Sequence, residues 1–299
     1  MHSLHDEKIE KLEKQANDIR ISIVEMLIEA GSGHTAGPLG MADIFTYLYF
    51  HALNHRPSEP NWSNRDRLIL SNGHICPVLY ATMAHVGYFP LEELKTLRKF
   101  GSRLQGHPHR EFLEGIETSS GPLGSGLSQA IGMTLADRIE KGRSSDKFFY
   151  CLMSDGELNA GQNWEALMLA GKEKLHNLIA IVDRNGIQID GFTSDVMPLE
   201  PLKDKFESFN WHVIETSGHD FRAIDEAVTQ AKSVFNKPSI IIAHTIPGEG
   251  VDFIKRKFGW HGTPPGKGLE DSFEKGRQGD EALRELRTLG GQINASHLD

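Results

Sequence analysis

The chain has 299 residues, with 32 basic and 41 acidic side chains and a net charge of −9, a balance that speaks against a nucleic acid partner. That length can bury a large core and suits one large or two ordinary domains. Cys76 and Cys151 each lie in an apolar run and read as reduced core residues of a cytoplasmic protein, because no disulfide framework or CxxC metal pattern accompanies them.

The amino terminus, M-H-S-L-H-D-E-K, is charged and lacks the apolar centre of a signal peptide. No apolar run approaches bilayer-spanning length, so the expectation is a soluble, intracellular protein without a membrane partner. Residues 6 to 30 place Ile9, Leu12, Ile19, Ile23, Met26 and Leu27 at helical spacing, ending at Gly31. Gly31 to Gly40, G-S-G-H-T-A-G-P-L-G, is half glycine and proline, which predicts bent backbone able to approach a ligand, with His34 at its centre. A histidine in such a loop is as often simply solvated.

A helix is expected from Met41 to about Ala52, then a loop marked by Pro57 and Pro60. Arg67 to Leu70 reads as a strand running into Ser71-Asn72-Gly73-His74, with a helix from Cys76 to about His85. A glycine turn at a helix amino end favours an anion, although the same turn can serve only as a cap. Leu91 to Phe100 reads as a further amphipathic helix, and Gly101 to Pro122 as a long connection of the kind that carries function or lacks order. Within it, His107 and His109 form an H-x-H pair without a third ligand at zinc spacing. Thr118 to Met133 is a glycine-rich turn opening a helix, and no G-K-[ST] follows to make it a P-loop.

Phe148 to Met153 reads as a buried strand, Gln162 to Lys174 as a helix and Leu178 to Val182 as a second strand, a β-α-β unit. Asp155 follows the first strand, and Asp183 and Asn185 follow the second. In an open parallel sheet both ends face one ligand-binding crevice, and a carboxylate with an amide oxygen suits Mg²⁺ or Ca²⁺ bridging a phosphate compound. Singly, Asp155-Gly156 and Asn185-Gly186 are ordinary turn pairs. Further on, helix and strand alternate at Leu202 to Phe209, Trp211 to Ile214, Phe221 to Phe235 and Ser239 to Ala243, which implies a parallel sheet covered by helices on both faces. His261 lies in a proline-glycine loop. From Gly268 the chain is polar, with one helix near Glu281 to Leu289 and a mobile tail expected.

S-D-G-E-L-N-A-G-Q-N-W-E-A followed by N-L-I-A-I-V-D-R-N-G-I-Q-I-D-G closely resembles the thiamine diphosphate motif of transketolases. G-S-G-H around His34, D-R-L-I-L-S-N-G-H around His74, G-H-P around His107, G-P-L-G-S-G from Gly121 and W-H-G-T-P around His261 resemble further segments of that family, in family order, across roughly residues 10 to 266.

The resemblance implies a doubly wound α/β thiamine diphosphate-binding fold over residues 1–270, with residues 271–299 as a carboxy-terminal helix and tail. It implies thiamine diphosphate and Mg²⁺ as cofactors. Asp155, Asn185 and the carbonyl of Ile187 would hold the metal. His74, Gly156 and His261 would hold the diphosphate, with Gly121 and Leu123 near the aminopyrimidine and Glu165 and Asn185 completing the cofactor-binding set. His34, His107 and His261 would act on the oxygens of a sugar phosphate, while the thiazolium carries the carbon–carbon cleavage.

In that family a second domain carries the glutamate that activates the aminopyrimidine and most of the sugar-phosphate contacts, and no such region follows here. The expectation is one subunit of a split transketolase, a dimer of heterodimers with a separate pyrimidine-binding chain. It would move a two-carbon ketol unit from a ketose phosphate to an aldose. The alternatives are a 2-oxoacid decarboxylase or dehydrogenase component and a non-catalytic cofactor-binding subunit; the run of histidines favours sugars. Three positions depart from the family pattern: Ser154 for the first glycine of G-D-G, Thr35 for a common proline, and Ala160 for a common glutamate that links paired sites.

Overall fold

The computed structural model describes residues 4–267 and 275–295. Five parallel strands form the central sheet: β1 (Arg67–Leu70), β2 (Phe149–Ser154), β3 (Leu178–Arg184), β6 (His212–Ser217) and β7 (Ser239–His244). Their spatial order is β1-β2-β3-β7-β6. A short antiparallel hairpin of β4 (Ile187–Gln188) and β5 (Gly191–Phe192) stands just past the end of β3.

Side chains alternate along each strand, and each strand therefore feeds two apolar layers. Leu68, Leu70, Tyr150, Leu152, Ile179, Ile181 and Ile241 join one buried cluster. That layer is built with α1 (Asp6–Ala30), α2 (Ala36–Gly40), α3 (Ala42–Tyr47), α4 (Cys76–Val86) and α9 (Phe221–Lys232). Ile69, Cys151, Met153, Ala180, Val182, Ile240 and Ile242 join the other, with α5 (Gly126–Lys141), α6 (Gly161–Glu173) and α8 (Leu202–Ser208). α7 (Thr193–Val196) caps the hairpin, and α10 (Gln278–Ala295) lies against α1. This is the doubly wound α/β arrangement expected from the alternation of elements. Both cysteines are free and buried, Cys151 in the centre of β2. No helix among the described residues is long and apolar enough to cross a membrane.

α1 ends where Gly31 takes φ 59 and its N–H bonds Leu27 and Ile28 carbonyls, a glycine C-cap that also turns the chain into the G-S-G-H segment. That segment is not bent throughout. Its second half is the buried helix α2, because the missing side chain of Gly40 lets the backbone meet the Ile246 carbonyl, which a Cβ would approach to 2.8 Å.

The helix expected over Leu91 to Phe100 is a 3₁₀ turn, Leu91–Thr96. Leu97 leaves helical geometry beyond it, at φ −46 and ψ 126, and Arg98 has φ 60. Burial of Leu94 and Leu97, together with the two-point pairing of Arg103 on Glu93, folds the segment back after Thr96. The expected carboxy-terminal helix is longer than its apolar pattern, reaching from Gln278 to Ala295, with Ala282 and Leu286 buried. The tail expected to be mobile after Leu289 is instead helical as far as Ala295, and residues 296–299 lie outside the described residues.

Candidate active site

The carboxyl ends of β2 and β3 are in register, Ser154 opposite Asp183, and the polar groups that follow meet there. Asp155 is fully buried. Its Oδ1 accepts from the Gly156 N–H at 2.7 Å, and its Oδ2 accepts from the Gly186 N–H at 2.8 Å and Arg184 Nη1 at 2.7 Å. Asn185 donates from Nδ2 to Asp183 at 2.7 Å and accepts at Oδ1 from the Ile187 N–H at 3.0 Å. Thr245 also donates to Asp183. Burial pushes the Asp183 carboxyl up to about 7, and it raises Asp155 despite the stabilising bonds from Arg184 and Gly186.

Asp155, Asn185 and the Ile187 backbone are thus brought to one strand-end cluster. A carboxylate, an amide oxygen and a peptide carbonyl are the hard donors Mg²⁺ takes, leaving positions for phosphate oxygens, so the donor set fits a magnesium diphosphate. The charge a cation would compensate is balanced here by Arg184.

Three histidines from distant segments cluster beside these strand ends, their rings tilted or edge-on to one another. The His34 ring lies 4.7 Å from His74 and 5.3 Å from His261, and His74 lies 5.2 Å from His261. Thr35 ties the first segment to the last, donating from N to the His261 carbonyl at 3.4 Å and from Oγ1 to the Thr263 carbonyl at 2.7 Å. His107 approaches from the long connection: a Cβ at Gly73 would stand 3.2 Å from its Cδ2 and 3.2 Å from the Gly121 nitrogen. The glycine preceding His74 is what permits that contact.

Burial, then the charges of His261 and Arg98, push the His34 imidazole down to about 3. Burial and the other histidines push His74 well below its ordinary value. Burial lowers His261, and burial with Arg98 lowers His107. All four imidazoles are therefore neutral near pH 7. Nδ1 of His34, Nδ1 of His261 and both amide atoms of Asn72 are buried without a hydrogen-bond partner. Buried polar atoms are rarely left unsatisfied, and their grouping here marks a place for a polar ligand.

Gly121 and Leu123 lie on the turn before α5, where Gly121 has φ 149 and open space around it and Leu123 is 43 % exposed. A residue given no role by the sequence reading anchors this turn. Glu157 is buried, accepts from Ser71 Oγ and from the Gly124 N–H at 2.8 Å on one oxygen, and accepts from the Ser154 N–H at 3.0 Å on the other. It thereby joins the ends of β1 and β2 to the glycine turn. An acidic residue directly after D-G, just past the end of a strand read as buried, is the signal that could have found it.

Residues 11–277 match the family model described as transketolase, thiamine diphosphate binding domain. The chain belongs to the transketolase family. It is 43 % identical over 250 residues to a 6-deoxy-6-sulfo-D-fructose transketolase subunit of a Clostridium species, covering 84 % of this chain and 90 % of that protein. It is 37 % identical to an apulose-4-phosphate transketolase subunit of Phocaeicola vulgatus, covering 90 % of this chain and 94 % of that protein. Transketolase from Campylobacter jejuni superposes with a TM-score of 0.85 at 36 % identity over 95 % of this chain. The chain spans only 43 % of that transketolase and 39 % of transketolase 2 from Escherichia coli.

The departures from the transketolase pattern have local explanations. Ser154 lies in β2 and is not among the positive-φ residues, so a side chain costs nothing there. Thr35 uses its hydroxyl and N–H to hold the His261 loop. Ala160 ends the 3₁₀ turn Gly156–Asn159 and leaves no carboxylate at that point. Glu165, assigned to cofactor binding by the resemblance, is exposed on α6 and makes no hydrogen bond or ion pair among the described residues.

Proposed function

We propose that this transketolase-family enzyme chain is the diphosphate-binding subunit of a two-chain transketolase. It would transfer a two-carbon ketol unit from a ketose phosphate to an aldose, with thiamine diphosphate and Mg²⁺, in the cytoplasm. Residues 1–270 form the diphosphate-binding domain and 271–299 its carboxy-terminal extension. The observation that carries this reading is the convergence of His34, His74 and His261, with ring separations of 4.7–5.3 Å, beside a buried carboxylate at parallel strand ends.

When bound, thiamine diphosphate supplies the carbanion-stabilising chemistry that carbon–carbon cleavage needs. The chain's own residues bind and orient. Asp155, Asn185 and the Ile187 carbonyl hold Mg²⁺, and His74, Gly156 and His261 take the diphosphate, whose charge could not enter a closed site without the cation. Gly121 and Leu123 flank the aminopyrimidine, on a turn fixed by Glu157. His34, His107 and His261 are neutral, so each ring offers one N–H donor and one acceptor nitrogen to the sugar oxygens. A donor placed where negative charge develops on oxygen lowers the barrier there.

A separate pyrimidine-binding chain, in a dimer of heterodimers, supplies the remaining contacts. Support comes from two relatives named as transketolase subunits and covered over 90 % and 94 % of their length. Leu123, Ile189, Phe192, Met197 and Phe258 are also solvent-exposed apolar side chains on segments that flank the site. The test is reconstitution with that partner, followed by ketol transfer between a ketose phosphate and an aldose. Transfer that needs both chains supports the assignment, and binding of cofactor without transfer to any aldose contradicts it.

A further inference from the structure

The segment from Thr245 to Gly248 follows β7 and touches both halves of the site. Thr245 donates to Asp183, the carboxylate that also takes Asn185 Nδ2 at 2.7 Å. On the other side the Gly248 N–H donates to the Ala36 carbonyl at 2.8 Å, and the Ile246 carbonyl packs against Gly40, where a Cβ would come within 2.8 Å of it. Ala36 and Gly40 are the two ends of α2, which begins two residues after His34. The segment is thus a bridge between the Asp183–Asn185 cluster and the first histidine. Between its two attachments the Ile246 N–H donates to a side chain, Nε2 of His219, at 2.7 Å.

His219 stands in the turn between β6 and α9, and the bond from Ile246 fixes the state of its ring. A nitrogen that accepts from a peptide N–H carries no proton, so the proton is on Nδ1, which donates to Asp43 Oδ2 at 2.7 Å. Asp43 is buried in α3. Burial raises its carboxyl, but Arg20 and His219 outweigh that and hold it below the ordinary value, so it stands ionised as an acceptor. Arg20 of α1, also buried, donates from Nη2 to the same Oδ2 at 2.6 Å and from Nε to the Leu39 carbonyl of α2 at 3.1 Å. The relay from Arg20 through Asp43 to His219 therefore starts on α2 and ends on the segment packed against α2. A buried ion pair is costly to desolvate and is weak evidence of a gain in stability. What it supplies here is a single tautomer and a single orientation of the imidazole.

We infer that His219 is a positioning residue whose Nε2 sets the Thr245–Gly248 bridge, and through it the placement of the Asp183–Asn185 cluster relative to the His34 segment. The inference rests on the proposed function only for what those two groups of residues hold. The hydrogen-bonded link itself belongs to the chain without ligand.

Two amide variants separate the two bonds of the ring. In H219Q the amide oxygen reaches the place of Nε2 and accepts from Ile246, whereas in H219N the amide reaches only the place of Nδ1 and Asp43. Nitrogen-15 NMR of the full chain should show the wild-type His219 ring protonated at Nδ1 and unprotonated at Nε2. H219N should shift the ring resonances of His34 and His261. It should also weaken Mg²⁺-dependent thiamine diphosphate binding about five- to tenfold, the worth of one hydrogen bond. H219Q should stay near wild type in both readouts. Urea melts are run beside them, because a histidine that only stabilised the fold would make binding follow stability in both variants alike. The inference is overturned if the wild-type proton is on Nε2, if H219N leaves the resonances and affinity unchanged, or if H219Q is affected as much as H219N. Should wild type bind no thiamine diphosphate with Mg²⁺, the transketolase reading fails, while ring shifts in H219N that are absent from H219Q would still uphold the positioning role and their absence would overturn it.

Discussion

Arg184 Nη1 donates to Asp155 Oδ2 at 2.7 Å, joining the ends of β3 and β2 through a carboxylate that is fully buried. Arg184 reaches onward to Thr193 Oγ1 at 2.8 Å and Glu200 at 3.1 Å. The group expected to hold a metal ion thus has a counter-charge from its own chain, which a bound cation would replace.

Removing Arg184 exposes that exchange. Arg184→Met leaves Asp155 buried with only backbone donors, a loss of about 2–3 kcal/mol once the partial exposure of the guanidinium is discounted. Urea unfolding in EDTA should show that loss, and Mg²⁺ with thiamine diphosphate should recover much of it. Equal stability of variant and wild type in EDTA would refute the counter-charge role.

Asp155→Ala should abolish Mg²⁺-dependent thiamine diphosphate binding while the chain stays folded, since the carboxylate adds little to the apolar core. Calorimetric titration of the variant checks this. Wild-type affinity in Asp155→Ala would show that the metal lies elsewhere.

The histidine cluster sets an acid limit. His34 has a folded value of about 3, against an unfolded value of roughly 6.5. The unfolded chain therefore binds more protons as pH falls through 6.5, and stability is lost progressively down to the folded value. By pH 5 this one group costs about 2 kcal/mol relative to pH 7.5. His34→Gln should lose that much less stability over the same interval in paired urea melts, and identical slopes for the two proteins would contradict the buried neutral ring.

Glu157→Ala leaves the buried Gly124 and Ser154 N–H groups without acceptors, at about 1–3 kcal/mol each. Glu157→Gln keeps an acceptor oxygen and should cost less. Both variants should weaken cofactor binding through the loosened glycine turn, the alanine more than the glutamine, and scanning calorimetry with cofactor titration measures both effects. Unaltered cofactor affinity in Glu157→Ala would separate the turn from the site.

Much of this was readable from sequence because it is local. The apolar runs at Phe149–Ser154 and Ser239–His244 need nothing beyond themselves to be strands, and the alternation of elements then dictates a covered parallel sheet. The histidines announced themselves by their glycine-rich settings. What was hidden depends on partners distant in the chain. Glu157 acts through backbone groups of β1, β2 and the turn before α5. Arg184 faces Asp155 only because β2 and β3 pair in one register. The segment from Leu91 had helical spacing, yet Glu93 pairing with Arg103 ends it at a 3₁₀ turn, a tertiary override that periodicity does not contain.

The measurement that tests the central claim most directly is calorimetric titration of thiamine diphosphate with Mg²⁺ into this chain, alone and mixed with a separate pyrimidine-binding chain, followed by an assay of ketol transfer to an aldose phosphate. Metal-dependent binding that appears or tightens with the partner, and transfer only when both chains are present, is the expected result. Absence of binding in both cases would contradict it.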